Sequence, residues 1–342
     1  MSNETTELPS SSLSDNVTST AYDEWQEMIR RFNIRPLTPG GYLGCAIYLV
    51  TIGLVATVGN ATTLIMFTRN QKLRRKPHNM LIINLAVSDL GISVFGYPFT
   101  TSSCFANRFL WGTVGCKVQG FTTFFFAMAD MYTLTMLSVY RWVAVCVPQH
   151  NHRLNVSVTM KVIAGTWIAA FLTTAPPLVG MSTYTYEPFG TSCTIDWDDP
   201  EPLNVFYVYL LVFVAYLIPV VQRSNELLRS MKQIKHQMLT LGEAEEANAN
   251  IAENKVTCPC RVQISLVMVA VFIVIWSPYT FVCVWAIYDA DIPVWLNTLP
   301  TMCAKSSCML NPVIFYLTNP IFRNTFKATF LRSRKVTPLT EN

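Results

Sequence analysis

Charged residues are scarce in this chain. They make up 13% of its 342 residues, against roughly 25% in ordinary soluble domains. The sequence also lacks a phosphate-binding glycine loop, a catalytic triad, a cluster of metal ligands and a transporter-type internal repeat. These absences argue against the common nucleotide-dependent, hydrolytic and metal-dependent enzymes and against a secondary transporter. No nucleic-acid partner is expected.

Hydrophobic residues, at 51% of the chain, form long apolar runs. Seven runs are near or above the roughly 20 residues that an α-helix needs to cross about 30 Å of hydrocarbon. They cover residues 42–68, 78–101, 113–146, 159–180, 203–222, 262–288 and 293–318, and are called spans one to seven. We therefore predict an all-α integral membrane protein, with a bundle of seven transmembrane helices over residues 41–318.

Basic residues accumulate on one side of the predicted bundle. They fall mainly within residues 69–76, 141–161, 223–261 and 319–342. By the positive-inside rule this side is cytoplasmic, so the N-terminus is extracellular. We expect residues 1–40 to form a disordered extracellular tail with glycans at the sequons of Asn3 and Asn16. This tail has no hydrophobic region before span one, so we predict no cleavable signal peptide.

Residues 319–342 begin with an amphipathic pattern. Phe322, Phe326 and Phe330 share one side, while Arg323 and Lys327 lie on the other. This pattern predicts a short helix on the inner leaflet of the bilayer, followed by a cytoplasmic tail. No cysteine follows it, so we expect no palmitoyl anchor there.

Lys305 is the only Lys or Arg between Pro293 and Leu317. An ammonium at mid-membrane costs at least roughly 2.5–3.5 kcal/mol, so such a residue indicates a function. About 12 residues lie on either side of it, too many for its side chain to reach the headgroups. A buried lysine can lose its proton and attack an aldehyde to form a Schiff base. The alternative is a lysine paired with an acid.

Most of the ten cysteines lie inside the spans, where a small apolar side chain explains them. Two differ, because Cys116 opens span three on the outer face and Cys193 lies in the outer loop between spans four and five. Both face an oxidising compartment, which predicts a disulfide that attaches the loop to span three. Cys104 competes as a partner for either residue.

Several motifs resemble those of rhodopsin-family G-protein-coupled receptors along nearly the whole chain. They are Gly59-Asn60, Leu85 to Asp89, Arg141, Trp167, Trp276-Ser277-Pro278 and Asn311-Pro312. With Lys305 in Ala304 to Ser307, the chain resembles an opsin. Residues 84–105 and 187–197 are most similar to neuropsins, and residues 275–285 and 304–307 are equally similar to peropsins.

The resemblance implies retinal, 11-cis or all-trans, attached to Lys305, and a protein of the cell membrane. Light would isomerise the retinal and activate a heterotrimeric G protein, with arrestin as a further partner. The alternative is a retinal photoisomerase that produces the 11-cis form with weak or no coupling. A receptor for a soluble ligand, with an incidental lysine, is a third reading.

A protonated Schiff base in a low dielectric needs an anion nearby. Vertebrate visual pigments place a glutamate where this chain has the neutral Gln119. Glu187 matches the counterion position that other opsins use in the second outer loop, and an ordinary loop carboxylate facing water is the alternative. A deprotonated, ultraviolet-absorbing chromophore also stays open. By family position Trp276, Tyr279 and residues 124–126 would line or border the ring pocket.

Two carboxylic acids, Asp89 and Asp130, lie inside the membrane by family position, near Asn60 and Asn311. Two buried carboxylates close together cannot both stay ionised at low cost. We predict a sodium or proton-sensitive site that controls the inactive state. The alternative is a protonated Asp130 bonded to a backbone carbonyl.

The resemblance weakens on the cytoplasmic side, where a G protein would dock. The usual acid before Arg141 is Tyr140, and Phe315 replaces a tyrosine shortly after Asn311-Pro312. Span five stays apolar only to about Val221, which predicts a shortened span. Cys258-Pro259-Cys260 should break the cytoplasmic extension of span six, and residues 243–246 form part of an acidic loop. These departures indicate altered coupling, high basal activity or an inaccurate gene model.

Overall fold

Seven helical segments match the predicted spans in the computed structural model, which describes residues 23–242, 267, 270–288, 291–318 and 320–331. Spans one to four are Pro39–Arg69, Pro77–Phe95 with Tyr97–Phe105, Gly112–Cys146 and Val156–Thr174. Span five joins Pro202–Leu211, the π-helix Val212–Leu217 and Ile218–Gly242. Span six is Ala270–Ala286, and span seven joins Val294–Lys305 to Ser307–Thr318. Short helical turns lie at Gln71–Arg74, Pro148–Arg153 and Pro176–Leu178.

Four of the described helices are long and apolar enough to cross a bilayer by composition alone. They are Pro39–Arg69, Pro77–Phe105, Val156–Thr174 and Pro202–Arg229. Span three is long enough but carries Lys117, Asp130 and Arg141, and these polar side chains lower its mean hydropathy. Span seven is divided at Ser306, so each half is shorter than a membrane crossing.

The helix breaks have local causes. Span two is interrupted at Gly96, and Pro98 in the first turn of the next helix has no amide proton for a helical hydrogen bond. The π-helix of span five ends just before Pro219, whose missing amide proton removes one helical hydrogen bond. In span seven the break comes directly after Lys305, so a change of helical geometry accompanies the one lysine of this span.

A β-hairpin covers the outer mouth of the bundle. Strand β1 (Tyr184–Tyr186) pairs with β2 (Cys193–Ile195) in an antiparallel register that places Tyr186 opposite Cys193. Both of these side chains are buried, as is most of the turn that joins the strands. The second outer loop therefore belongs to the core of the protein rather than to its surface.

The chain before span one packs on this hairpin. Residues 23–31 are helical, so the predicted disorder of the N-terminal tail does not hold for them. Trp25 and Ile34 are buried against the hairpin, and the Arg35 amide donates to the Pro188 carbonyl at 2.7 Å. Gly190 allows this approach, because a Cβ there would lie 2.6 Å from Ile34 and 2.8 Å from Trp25.

Span five is not shortened on the cytoplasmic side, so this prediction from the sequence is wrong. The helix Ile218–Gly242 continues well beyond Val221. Its first polar turn is directed inward, since Arg223 is only 3% exposed and Glu226 is half-buried. The apolar run ends there because buried charge replaces hydrocarbon, not because the helix stops.

The helix Pro320–Phe326 and the π-helical turn Lys327–Leu331 follow span seven, as the amphipathic pattern predicted. Phe322 is buried and packs against Phe67 and Phe315, while Lys327 is exposed. An apolar face on the bundle and an outward-facing cation agree with a helix lying along the inner leaflet.

Candidate functional site

Lys305 lies inside the bundle, below the β-hairpin. Its side chain is 15% exposed, and its Nζ lies 3.4 Å from Oε1 of Glu187 and 3.1 Å from Oγ of Ser192. Its backbone carbonyl accepts a 2.7 Å hydrogen bond from the Tyr97 hydroxyl of span two. The lysine thus pairs with an acid 118 positions away along the chain, at the place where span seven changes geometry.

Glu187 is held in place by the turn between β1 and β2. Its amide donates to the Ser192 carbonyl at 2.8 Å, and its carbonyl accepts from the Gly190 amide at 2.7 Å. The side chain is 4% exposed, so burial raises the pKa of the carboxyl, and Lys305 opposes that shift. Oε2 has no hydrogen-bond partner among the described residues. This leaves one acceptor free for a further donor next to the amine.

Gln119 is fully buried one helical turn after Cys116, and it binds the loop instead of the lysine. Its Oε1 accepts from the Cys193 amide at 2.8 Å, and its Nε2 lies 3.4 Å from the hydroxyls of Thr100 and Ser192. The neutral amide satisfies the backbone of β2. Because it has no charge, Gln119 cannot be the counterion of a Schiff base, which agrees with the expectation that Glu187 is the counterion.

Sequence reasoning missed Ser192. Its hydroxyl lies between Lys305, Gln119 and Thr100, at 3.1–3.4 Å from each. The only sequence signal was its position next to Cys193, which fixes it close to span three once the disulfide forms.

The disulfide joins Cys116 to Cys193 with Cα atoms 5.4 Å apart. Cys104, the predicted competitor, is a buried free thiol whose Sγ lies 3.2 Å from Oγ1 of Thr191. The loop is therefore attached to span three one turn above Gln119.

A cavity opens beside the amine of Lys305. Phe124, Trp276 and Tyr279 form its aromatic wall, and Glu187 closes its outer end. Phe124 fits the expectation for residues 124–126, but its two neighbours do not line this cavity. Phe125 and Phe126 instead pack against Trp167 of span four.

A second cavity is also lined by Trp276, Tyr279 and Phe124. Its other walls are almost wholly apolar and include Met128, Leu211 and Ala215, next to the π-helix of span five. The two cavities share Phe124, Trp276 and Tyr279 as walls; the first contains the amine and the carboxylate, and the second is lined mostly by hydrocarbon.

Asp89 and Asp130 lie together in the middle of the bundle, as predicted. The Asn311 amide donates to Asp89 Oδ2 at 3.0 Å and to Asp130 Oδ1 at 3.2 Å. Both acids are buried, and Asp89 Oδ1 has no hydrogen-bond partner among the described residues. Asn60 does not join the pair, because its amide donates to the carbonyls of Ala56 and Cys308.

Comparison with known proteins agrees with this geometry. The family model "7 transmembrane receptor (rhodopsin family)" matches residues 59–315. Opsin-5 of Homo sapiens is 34% identical over 279 residues, covering 78% of this chain and 76% of its own length. Visual pigment-like receptor peropsin of Homo sapiens is 30% identical, covering 83% of each chain.

The chain belongs to the opsins of the rhodopsin family. The predicted likeness to neuropsins and peropsins is confirmed. The crystal structure of squid rhodopsin superposes with a TM-score of 0.78 at 24% identity, over 87% of this chain and 88% of that one, which confirms the seven-helix fold.

The family fixes the general character of the protein. This opsin is a light-sensing, multi-pass membrane receptor, and the relatives that it matches are opsin receptors, not enzymes. Opsins in general carry a retinal chromophore, and rhodopsin-family receptors couple to heterotrimeric G proteins.

The cytoplasmic departures of this opsin have structural counterparts. The Tyr140 hydroxyl lies 3.0 Å from Oγ1 of Thr159 in span four, so it does not replace the missing acid beside Arg141. The Arg141 guanidinium lies 6.0 Å from the ring centroid of Phe315, and its Nη1 has no hydrogen-bond partner among the described residues. Asn311 and Pro312 are buried in span seven, where the Pro312 ring lies against Gly59 of span one.

Some predicted features lie outside the described residues. They are the sequons of Asn3 and Asn16, the acidic loop from Glu243 to Glu246, and Cys258-Pro259-Cys260.

Proposed function

We propose that Lys305 holds retinal through a protonated Schiff-base linkage, with Glu187 as its counterion. The observation that carries this proposal is the 3.4 Å contact between Lys305 Nζ and Glu187 Oε1 inside the bundle. A buried amine beside a buried carboxylate can keep its charge, because each ion stabilises the other where water cannot.

The residues around Lys305 fit such a chromophore. When bound, retinal supplies an aldehyde for the linkage and a polyene that light isomerises. Phe124, Trp276 and Tyr279 line the cavity beside the amine, and a second, apolar cavity is lined by the same three residues. Mostly apolar walls with a few polar groups at one place are typical of sites for small organic ligands.

Each polar group near the amine has a part in this proposal. Glu187 holds the negative charge, and its free Oε2 can accept a hydrogen bond from a water molecule at the linkage. The Ser192 hydroxyl, 3.1 Å from Lys305 Nζ, orients the nitrogen. Gln119 contributes no charge and holds β2 in register, so the carboxylate stays next to the amine.

Trp276 and Tyr279 would transmit a change in the pocket to span six. Trp276 lines both cavities and the space on their cytoplasmic side. Pro278 between the two aromatic residues provides a weak point in that helix. Movement of span six would then reach Arg141 and activate a heterotrimeric G protein. Arrestin, a cell-membrane location and glycans at Asn3 and Asn16 belong to the same proposal.

The Asp89–Asp130 pair is proposed as the sodium or proton-sensitive control of the inactive state. Asp89 Oδ1 is buried without a partner among the described residues, while Asn311 supplies one amide to both acids. A cation or a shared proton would complete this arrangement.

The second candidate function is a retinal photoisomerase. It is favoured by the cytoplasmic end of the bundle, where Tyr140 bonds to span four and Phe315 replaces a hydroxyl with a bare ring. A protein that only isomerises retinal has no need of a charged switch at Arg141. In that case all-trans retinal is bound and the 11-cis form is released.

Reconstitution with 11-cis and all-trans retinal separately tests both functions. Absorption spectra are recorded for each isomer, and light-dependent nucleotide exchange is measured on several G proteins. A pigment with light-dependent exchange supports signalling. A pigment with all-trans retinal and no exchange on any G protein supports the isomerase and overturns the first proposal. Absence of any pigment, matched by Lys305→Ala, overturns both.

A further inference from the structure

Two arginines face one cavity in the cytoplasmic half of the bundle. This cavity lies between spans three, five, six and seven. Arg141 of span three and Arg223 of span five line it, and both side chains are buried. No aspartate or glutamate of the described residues contributes to its wall.

Arg223 is fixed but incompletely satisfied. Its Nη2 donates to the Met131 carbonyl at 2.8 Å and to Thr135 Oγ1 at 2.9 Å, and its guanidinium lies 4.2 Å from the ring centroid of Phe272. Its Nε has no hydrogen-bond partner among the described residues. Backbone, hydroxyl and ring contacts orient the group, but none of them supplies a full negative charge.

The nearest acids do not form ion pairs with these arginines. Both carboxylate oxygens of Glu226 accept hydrogen bonds, one from Ser138 and one from Gln222. Asp130 is bonded to Asn311, and the charges of both acids act on Arg223 at longer range than an ion pair.

The positive charge of Arg141 has fewer compensating contacts than that of Arg223. The residue before it is Tyr140, which is turned towards span four. Its Nη1 has no partner among the described residues, and its one described contact is the ring of Phe315. A buried guanidinium without a partner is costly, because the group stays charged under all ordinary conditions.

We propose that this cavity binds a small monovalent anion of the chloride class between Arg141 and Arg223. Such an ion would accept from Nη1 of Arg141 and Nε of Arg223, which have no hydrogen-bond partner among the described residues. Charge-assisted hydrogen bonds of this kind are about twice as strong as neutral ones. The ion would link spans three and five and so stabilise the resting arrangement of the helices.

Thermal unfolding of the full chain in lipid nanodiscs, without retinal, tests the site. Sodium chloride, choline chloride and sodium gluconate are compared at equal ionic strength. Both chloride salts should raise the Tm in a saturable way, by about 3 °C at ten times the dissociation constant. Equal Tm values in all three salts would overturn the proposal, as would a rise that follows sodium alone.

Substitutions at and near Arg223 test whether chloride acts at this cavity. Arg223→Gln should raise the half-saturating chloride concentration by about tenfold or more, since one charged donor is lost. Arg223→Lys should retain much of the affinity for chloride. Glu226→Gln should tighten binding, because it removes a nearby negative charge. Arg229→Gln, on the exposed side of the same helix, is the matched control and should leave the chloride dependence unchanged.

The test can still be decided if one of these variants does not fold. If Arg223→Gln does not yield folded protein, Glu226→Gln still decides the question, because tighter chloride binding is expected there. An unchanged chloride dependence in Glu226→Gln would refute the site. The measurement needs no chromophore and no G protein, so its outcome is separate from that of the retinal proposal.

Discussion

Removing the negative charge of Glu187 should move the absorption of the pigment from the visible to the ultraviolet. Lys305 Nζ and Glu187 Oε1 are 3.4 Å apart, and neither side chain is more than 15% exposed. At an effective dielectric constant of about 20, opposite charges at this separation attract by about 5 kcal/mol. Burial of Glu187, which raises the pKa of its carboxyl, offsets part of this attraction.

In Glu187→Gln the protonated linkage loses this stabilisation. Because about 1.4 kcal/mol corresponds to a factor of ten, its proton should dissociate about a thousandfold more readily. Spectra of the reconstituted pigment at neutral pH, followed by acid titration, measure the change. We expect an ultraviolet band at neutral pH that returns to the visible on acidification. An unchanged visible band in the variant would refute Glu187 as the counterion.

Two variants serve as controls for this experiment. Glu201→Gln makes the same chemical change on an exposed side chain of the same loop, which forms no capping hydrogen bond, and should leave the spectrum unaltered. Glu187→Asp keeps the charge on a shorter side chain and should retain a visible band at neutral pH. A loss of the visible band in Glu201→Gln would point to a general effect on the loop.

Three further predictions follow from the same contacts. Acidification of the wild-type pigment should shift its visible band to longer wavelength as Glu187 takes up a proton. Because the pKa of Glu187 is raised by burial, the shift should begin at higher pH than for an exposed glutamate. Absorption spectra across a pH series measure the shift. Asp130→Ser should abolish the sodium and pH dependence of light activation measured by nucleotide exchange, and an unaltered dependence would contradict the proposed site. Gly190→Ala should lower the free energy of unfolding by about 1–3 kcal/mol, because its φ is +75° and a Cβ would strike Trp25. Thermal unfolding in lipid nanodiscs measures this change. Gly165→Ala, where nothing lies within 4 Å of the added Cβ, is the control and should not lower the stability.

The bundle and its lysine could be predicted from the sequence because a bilayer imposes simple rules. Without water to satisfy the backbone, each crossing must be a helix of sufficient length, and such helices are visible as apolar runs. Lys305 stands out for the same reason, as an isolated cation in a segment that otherwise excludes charge. Both are local properties of the chain, so they need no knowledge of neighbours in space.

The arrangement around Lys305 depended on the tertiary structure. Glu187 and Ser192 come from the second outer loop, and they meet Lys305 only when the hairpin folds into the bundle. Gln119 of span three meets Ser192 in the same way. The choice of Cys116 over Cys104 as the partner of Cys193 was settled in the same way.

Arg223 shows the difference most clearly. In the sequence it follows the last apolar residues of span five, and this position led to the prediction that the membrane helix ends there. In the fold the helix continues, and span three offers a carbonyl and a hydroxyl to the guanidinium while span six offers an aromatic ring. The sequence by itself determined where the chain crosses the bilayer and which lysine lies within it. Only the tertiary structure decided which polar side chains face one another, because their partners lie on helices far apart in the chain and no local pattern records them.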